Sequence, residues 1–428
     1  MDFIVIGITD APHPWFPPDV LEIIKSGRVF SGGKRHRDIV AHLLPNGAEW
    51  IDITVPLEAV FMQYKQFGGE ATEHIAKEKT TEHVAKEEST EHTIIVFASG
   101  DPLFFGFATT LQRQFPAAGL KVYPSFNSLQ MLAHRSVMRY DDMRVVSLTG
   151  RPWHEFDRAL LEHAPKIGVL TDRTHTPATI AQRMIDYGYT SYRMWLGERL
   201  GHPTCEQVRL LRLDEALTID FEHPNCLILE ATASLPPRRF GIPDDEFELL
   251  DGRSRMITKM PIRLLSLQAL GLSARKVLWD IGFCTGSVSI EAKLQFPHLQ
   301  VVSFEIRPEG ERLMNVNACR FGALGIDAHI GDFLQADLDA LPRPDAVFIG
   351  GHGGRLKEIM ARLAEVMPLD GCIVMNSVTS SVVQQMTDLP SSHVLWNEAC
   401  AELGLHQAPP LRIQLNDYNP IEILICKK

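Results

Sequence analysis

Twice in this chain an apolar, β-rich run breaks into a glycine turn and re-enters a helical stretch, at TIIVFASGDPLFFG and at KVLWDIGFCTGSVSIEA. A buried parallel strand needs continuous apolar residues, and glycine lets the chain turn sharply at its carboxyl end. Strand and helix signals alternate around both junctions. The first stretch reads FIVIGI, a helix around Asp19–Ser26, WIDITV and TIIVFAS, a weak strand at Lys121–Tyr123, then RVVSLTG, KIGVLTD and NCLILEA. The second reads KVLWDIG, a helix from Ser287, VVSFEI, a helix to Phe321, DAHIGD, DAVFIGG, a helix to Val366, GCIVMNS, and late strands near Val394 and Ile423. Both patterns predict α/β domains, the second a doubly wound sheet. At 428 residues the chain is too long for one core. The boundary falls in ASLPPRRFGIPDDEF, whose prolines favour an extended connector. Domains are therefore expected at 1–234 and 248–428, with a linker at 235–247.

The remaining bulk properties mainly exclude. A net charge of −11 argues against a nucleic-acid binder held by a general basic field. Seven scattered cysteines without a CxxC pair argue against a zinc site or disulfide framework and for a reducing, cytoplasmic setting. MDFIVIGITD reads as a first buried strand and not as a signal peptide, and no apolar run reaches the roughly 20 residues that span a bilayer. TEHIAKEKT, TEHVAKEES and TEHT repeat every nine residues within an insertion at about 68–93. Nine residues make about two and a half helical turns, so His74, His83 and His92 fall on alternating faces and do not converge on one metal ion. A charged, solvated insertion is the expected reading.

In the second domain Asp280-Ile-Gly-Phe-Cys-Thr-Gly286 follows a strand and opens a helix, with Gly282 and Gly286 leaving room for a ligand. Glu305 ends the next strand, where a carboxylate accepts ribose hydroxyls, and Asp332 after the third is placed for an adenine edge. GxGxxG is absent and no basic pocket for a pyrophosphate is evident, which favours S-adenosylmethionine over a dinucleotide. MITKMPIRLLSLQALGL, the Asp280–Gly286 turn, EIRPEG, GDF and DAVFIGGHGG together resemble the decarboxylating precorrin methyltransferase domain of cobalamin biosynthesis, a Rossmann-like (class I) fold. The resemblance implies that Thr258 caps the cofactor and that Gly282, Phe283, Cys284, Thr285, Gly286, Glu305, Asp332 and Phe333 contact it. Cys284 stands where the family usually has glycine. Its side chain is harmless there if φ is negative and it points away, and a packing role is expected over a nucleophilic one. His352 in GGHGG is the candidate for proton transfer.

SGDPLFFG, YPSFNSLQMLAHR, SLTGRP, VLTDRTHTPATIA and LGERLG occur in the order seen in the tetrapyrrole methylases (class III) that modify C5 of the corrin precursor. That resemblance implies cofactor contacts at Gly100, Asp101, Pro102, Leu103, Ser128, Thr171 and Pro177. The opening loop departs from the family, reading IGITDAP with Gly7 kept but Thr9 and Asp10 soon after. Trp15, Phe16, Trp153 and His154 either line a flat cleft or pack in the core. GGKRHRD (Gly32–Asp38) and Arg253, Arg255, Lys259 and Arg263 are candidate basic rims for a substrate rich in carboxylates.

The order of the two motif sets resembles the fused C5,15-methyltransferases of corrin precursors. It implies one S-adenosylmethionine per domain, two methyl transfers, decarboxylation of an acetate side chain, and a tetrapyrrole substrate. It further implies no nucleic-acid or membrane partner and a homo-oligomer. Two alternatives stay open: an RNA methyltransferase, or a tetrapyrrole-binding module with one active domain.

Overall fold

The computed structural model describes residues 1–78, 93–234, 237–378, 391–414 and 420–428. Its contacts divide it into two units: Met1–Gly150 with Lys166–Thr179 and Arg193–Glu230, and Arg151–Pro165 with Ile180–Tyr192 and Ala231–Lys428.

The chain begins with β1 (Asp2–Ile8), α1 (Pro18–Ser26), β2 (Val29–Gly32), α2 (Lys34–Val40), β3 (Glu49–Asp52), α3 (Glu58–Glu78), β4 (Thr93–Ser99), α4 (Phe107–Gln114), β5 (Gly119–Tyr123) and α5 (Ser128–Arg135). The strands form a parallel sheet in the order β3-β2-β4-β1-β5. Alternation along β1 and β4 fills two cores: Phe3, Val5, Ile94 and Val96 meet Val60 and Tyr64, while Ile6, Ile95 and Phe97 meet Val20 and Ile24. Of the nine-residue repeat, the helix α3 reaches Glu78 and residues 79–92 lie outside the described residues. Next come β6 (Arg144–Ser147), α6 (His154–Leu161), β7 (Lys166–Leu170), α7 (Pro177–Asp186), β8 (Tyr192–Glu198), β9 (Gln207–Arg212) and β10 (Asn225–Ala231). Their sheet runs β6-β7-β10-β8-β9, with β6 parallel and β10 antiparallel to β7. The strands β2, β8 and β9 were not among those expected.

The second unit's sheet contains β11 (Val277–Ile281), β12 (Gln300–Glu305), β13 (Ile326–Ile330), β14 (Ala346–Ile349), β15 (Cys372–Val378), β16 (His406–Ile413) and β17 (Ile421–Lys427). Its helices are α8 (Met260–Leu270), α9 (Ser287–Gln295), α10 (Glu309–Phe321), α11 (Leu356–Val366) and α12 (Ser392–Glu402). Strand order is β13-β12-β11-β14-β15-β17-β16, parallel through β15 and antiparallel at β17 and β16. The expected strand at Val394 is instead the helix α12, opened by Ser391, whose hydroxyl accepts from Val394 N. Trp279, Phe304, Val347 and Ile349 pack one face against Leu356, Leu363 and Trp396, and Leu278, Val301 and Phe348 pack the other against Ile262, Leu267 and Val288. The strand order reverses between β11 and β14, which opens a crevice at their carboxyl ends.

One titratable group in the first unit has a direct consequence for stability. His36 Nε2 meets Ser99 Oγ at 2.9 Å, and burial first, then the neighbouring Arg35, pushes its imidazole down to about 4. A histidine with a folded value below its unfolded 6.5 binds fewer protons when folded, so stability is lost as pH falls through that window. The expected loss between pH 6.5 and 4 is at most about 3 kcal/mol. Denaturant unfolding of wild type and His36→Gln across that range checks it: the wild-type slope should flatten in the variant.

Candidate active site

The carboxyl ends of β11, β12, β14 and β15 surround a cavity of about 670 Å³ in the second unit. Thr258, Gly282, Phe283, Cys284, Thr285, Glu305, Asp332, Phe333 and His352 all line it, so the expected residues do converge there. Gly286 contributes backbone instead. It caps α9 at φ 76°, and a Cβ on it would lie 2.7 Å from Met314 Sδ. Gly282, at φ 77°, lies against the β14 loop, where a Cβ would sit 2.7 Å from Gly351 N.

Cys284 contradicts the condition set for it: its φ is +51°, the left-handed region. The loop therefore uses a conformation suited to glycine at 282, 284 and 286 alike, and the thiol lines the cavity. Burial, then the Glu305 charge, pushes the thiol up, which keeps it protonated and unsuited to nucleophilic attack. A non-glycine residue in this region costs about 1–2 kcal/mol, partly offset by glycine's greater entropy loss. Cys284→Gly is accordingly expected to stabilise the protein by about 1 kcal/mol, seen as a higher midpoint in urea. A lower midpoint would mean that thiol packing outweighs the strain.

Glu305 is 2% exposed and anchors the loop. Its Oε2 accepts from Cys284 N at 2.8 Å, and its Oε1 accepts from Arg307 N at 3.0 Å and Arg307 Nη1 at 3.2 Å. Asp332 caps the turn after β13, accepting from Leu334 N at 3.0 Å and Arg355 Nη1 at 2.8 Å. The Leu334 N–H first, and the Arg355 guanidinium with it, holds that carboxyl below its usual range. The Phe333 ring packs on Trp279 and Phe304.

His352 lines the cavity but already spends both nitrogens. Nδ1 accepts from Gly354 N at 3.2 Å, which leaves the proton of the neutral ring on Nε2, 3.0 Å from Ser392 Oγ. Burial pushes the ring's pKa down. In this arrangement the histidine is neutral and is no base toward Ser392.

Three buried polar atoms of cavity-lining residues have no partner among the described residues: Asp280 Oδ1, Thr285 Oγ1 and Asn376 Nδ2. Such atoms are costly unless a ligand or water satisfies them. Asp280 is fully buried, accepts from Ser289 Oγ at 2.5 Å, and is pushed up to about 7 by that burial. Neither Asp280 nor Asn376 was singled out for a role. The available signal was a polar residue at the end of an otherwise apolar strand, in VLWDI and CIVMNSV.

The proposed rim beside this site divides. Arg255 and Lys259 line the cavity, and Arg253 pairs with Asp251 at the surface. Arg263 does not belong to a rim. Its side chain is fully buried, with Nε 3.2 Å from Glu291 Oε2, because α8 turns that face into the core.

In the first unit the family-implied segments also meet. A Cβ on Gly7 would lie 1.9 Å from Gly100 O, and one on Gly100 (φ 61°) would lie 2.9 Å from Asn127 Cα, so the β1 and β4 loops and α5 touch through backbone. Asp101 Oδ1 accepts from Leu103 N, and Pro102 O accepts from Ala108 N. Ser128 opens α5 beside the Cys226 thiol, which burial raises to about 12. Thr171 Oγ1 donates to the neighbouring Asn225, and Pro177 opens α7 farther along. Asp10, in the departing loop, is 7% exposed and pairs with Arg35 at 3.0 Å and Arg199 at 2.7 Å. Part of the GGKRHRD rim is thus spent internally. Phe16 is a core residue, whereas Trp15 is 82% exposed; Trp153 lies under the Arg183 guanidinium, 4.9 Å from its centre. No helix among the described residues is long and apolar enough to cross a membrane.

Comparison with known proteins gives these features their context. Residues 4–217 match the tetrapyrrole (corrin/porphyrin) methylases, and residues 250–395 match the precorrin methyltransferase domain. A Sinorhizobium precorrin-6Y C(5,15)-methyltransferase (decarboxylating) is 30% identical over 90% of this chain and 86% of its own. A Salmonella typhi cobalt-precorrin-6B C(15)-methyltransferase (decarboxylating) is 34% identical over 42% of this chain and 93% of its own. A Salmonella typhimurium cobalt-precorrin-7 C(5)-methyltransferase is 26% identical over 53% of this chain and 98% of its own. Fold and matches together define a methyltransferase built from two unrelated α/β types. The chain belongs to the precorrin-6Y C(5,15)-methyltransferase (decarboxylating) family.

Proposed function

We propose that this enzyme methylates precorrin-6Y at C5 through residues 1–234 and at C15 through residues 248–428, with loss of an acetate carboxyl as CO₂, in cobalamin biosynthesis. The observation that carries the reading is that two unrelated methyltransferase types occupy one chain, while relatives of each kind stand alone as C(5) and C(15) enzymes. The seven cysteines, all free, suit a cytoplasmic enzyme.

The second unit's residues fit S-adenosylmethionine. The cavity offers a glycine-shaped loop, a buried carboxylate at the end of β12, and the unpartnered Asp280 Oδ1 and Thr285 Oγ1. When bound, this cofactor supplies a methyl group already activated on a sulfonium. Glu305 is assigned to the ribose hydroxyls, the 282–286 backbone and Asp280 to the amino-acid end, and Thr258 to the segment covering it. A carboxyl poised at about 7 ionises readily beside an ammonium group, so Asp280 suits a cationic neighbour. Gly100–Leu103, Ser128, Thr171 and Pro177 are assigned to a second cofactor in the first unit. No strong general base is required where the macrocycle is the nucleophile, and the protein's task is to orient the ring carbon and exclude water. His352, with both nitrogens engaged, is assigned to shaping the β14 loop.

Mass spectrometry of the full-length enzyme's products from precorrin-6Y and S-adenosylmethionine tests the reading. Gain of two methyl groups with loss of one CO₂ is expected. One methyl with CO₂ loss would restrict activity to the second unit, and no change with either the metal-free or the cobalt-containing precursor would reject corrins.

A further inference from the structure

Beside the carboxyl ends of β1 and β4, in the first unit, one buried carboxylate holds two guanidiniums. Asp10 Oδ1 accepts from Arg35 Nη1 at 3.0 Å, and its Oδ2 accepts from Arg199 Nε at 2.7 Å, although Arg199 comes from the loop after β8. Arg35 Nη2 donates to Ser99 Oγ at 2.8 Å, so both arms of its fork are engaged. Arg199 is held through Nε alone. Its side chain stays 28% exposed, its Nη1 and Nη2 make no hydrogen bond among the described residues, and Glu222 acts on it only from beyond ion-pair distance.

The backbone around Arg199 is built to keep it there. Its φ is +47°, in the left-handed region that disfavours a side chain. The strain is held by three bonds: Arg199 N donates to Pro224 O at 2.9 Å, His202 N donates to the Arg199 carbonyl at 2.9 Å, and Asp10 takes Nε. Gly201 packs against the opening loop, where a Cβ on it would lie 3.2 Å from Thr9 Cβ. Ser99 leads directly into the Gly100 turn, whose carbonyl accepts from Ser125 N at 3.2 Å. Leu103, Phe105 and Phe126 stand exposed on these two joined loops. Exposed apolar side chains and a cation with spare donors thus share one set of adjoining loops, the pairing that a flat, carboxylate-bearing ligand requires.

We infer that Arg199 receives a peripheral carboxylate of the corrin precursor during the first unit's methyl transfer, with Asp10 and Arg35 holding it in position. This rests on the corrin-precursor reading and deepens it. The outer edge of a guanidinium meets a carboxylate bidentately, through two parallel charge-assisted bonds. Asp10, Arg35 and Arg199 sum to a single positive charge, and His36 beside them adds none, because burial keeps it neutral. Such a cluster attracts an isolated carboxylate. The amino-acid end of S-adenosylmethionine offers a carboxylate with an ammonium on the adjacent carbon, and the cluster repels that second charge. The precursor's carboxylates have no cation beside them, and its flat apolar face matches Leu103, Phe105 and Phe126. A peripheral carboxylate keeps its charge throughout methylation at a ring carbon, so Arg199 stabilises the bound substrate and the transition state equally and acts on KM.

The test uses the full chain with precorrin-6Y and S-adenosylmethionine, counting methyl groups transferred and CO₂ released, with S-adenosylhomocysteine affinity measured alongside. Arg199→Gln is expected to raise KM for C5 methylation by roughly 10–100-fold, the size of a hydrogen bond to a charged group, with kcat and S-adenosylhomocysteine affinity retained. Asp10 keeps Arg35 in this variant, so its buried charge stays paired. Arg199→Lys preserves the charge without the fork and should recover part of the loss. An unchanged KM in Arg199→Gln overturns the inference, as does a lysine variant no better than the glutamine one. Lost S-adenosylhomocysteine affinity in Arg199→Gln also overturns it, by moving Arg199 to the cofactor. A wild-type enzyme that releases CO₂ but transfers a single methyl group overturns the functional reading of the first unit itself, a failure visible before any variant is made.

Discussion

Glu305→Ala is expected to weaken S-adenosylhomocysteine binding at the second unit by roughly 100-fold, about 3 kcal/mol. The carboxylate ends β12 at 2% exposure, facing a cavity with acceptor capacity still left on Oε2. On the proposed reading, removing it costs the bonds to the ribose, and it also removes the anchor of the loop, since Cys284 N and Arg307 N lose their acceptor. Glu305→Gln keeps one carbonyl oxygen and should fall about tenfold. Calorimetric titration of the full chain is the direct measurement, with two sites expected in the wild type and one weakened in the variants. C15 methylation and CO₂ release should fall with binding, while C5 methylation persists. Unchanged affinity at both sites would remove Glu305 from the cofactor and leave it a loop anchor only.

How much of this was readable beforehand depends on whether the cause is local. The strand–turn–helix at 277–295 was legible because glycine spacing and apolar runs act within a few residues, and β11, α9 and the cavity stand where expected. Glu305 was legible for the same reason, being the carboxylate at the end of the next strand. The segment around Val394 was not. SHVLWNEACAE carries a β-branched and aromatic start that reads as strand, and the Ser391 cap with burial of Trp396, Ala399 and Cys400 decides for helix. Cys284 required a backbone angle, which a sequence states only through glycine, and here the glycine is missing. Asn376 lines the cavity only because β15 is placed beside α8 and β17, an arrangement fixed by tertiary packing. Arg263 was misread for a related reason. Its partner Glu291 is 28 residues away, and nothing nearby marks that face of α8 as buried.

The same pair supports the second large effect: Arg263→Met is expected to destabilise the protein by about 3–5 kcal/mol. Both side chains are 0% exposed. Around them Glu291 accepts from Gly241 N at 3.1 Å and Ile242 N at 3.0 Å, and Arg263 donates to Thr258 O at 2.9 Å, to Asp244 at 3.3 Å and to Ile242 O. The pair thereby ties the 241–244 segment and the Thr258 segment to α8 and α9. Met matches the volume but leaves a buried carboxylate without its cation and the Thr258 and Ile242 carbonyls without a donor, while Asp244 keeps the Met260 N–H. The double variant Arg263→Met with Glu291→Gln removes the uncompensated charge and keeps one carbonyl for a backbone N–H, so it should be more stable than Arg263→Met alone. Guanidinium unfolding of wild type, both single variants and the double variant gives the coupling directly. Strictly additive losses, or a cost below about 1 kcal/mol for Arg263→Met, would show that the two groups do not stabilise the fold as a pair. Because Arg263 also holds the Thr258 carbonyl, S-adenosylhomocysteine should bind more weakly to Arg263→Met even well below its unfolding transition. That ties a buried ion pair outside the cavity to the Thr258 segment that lines it.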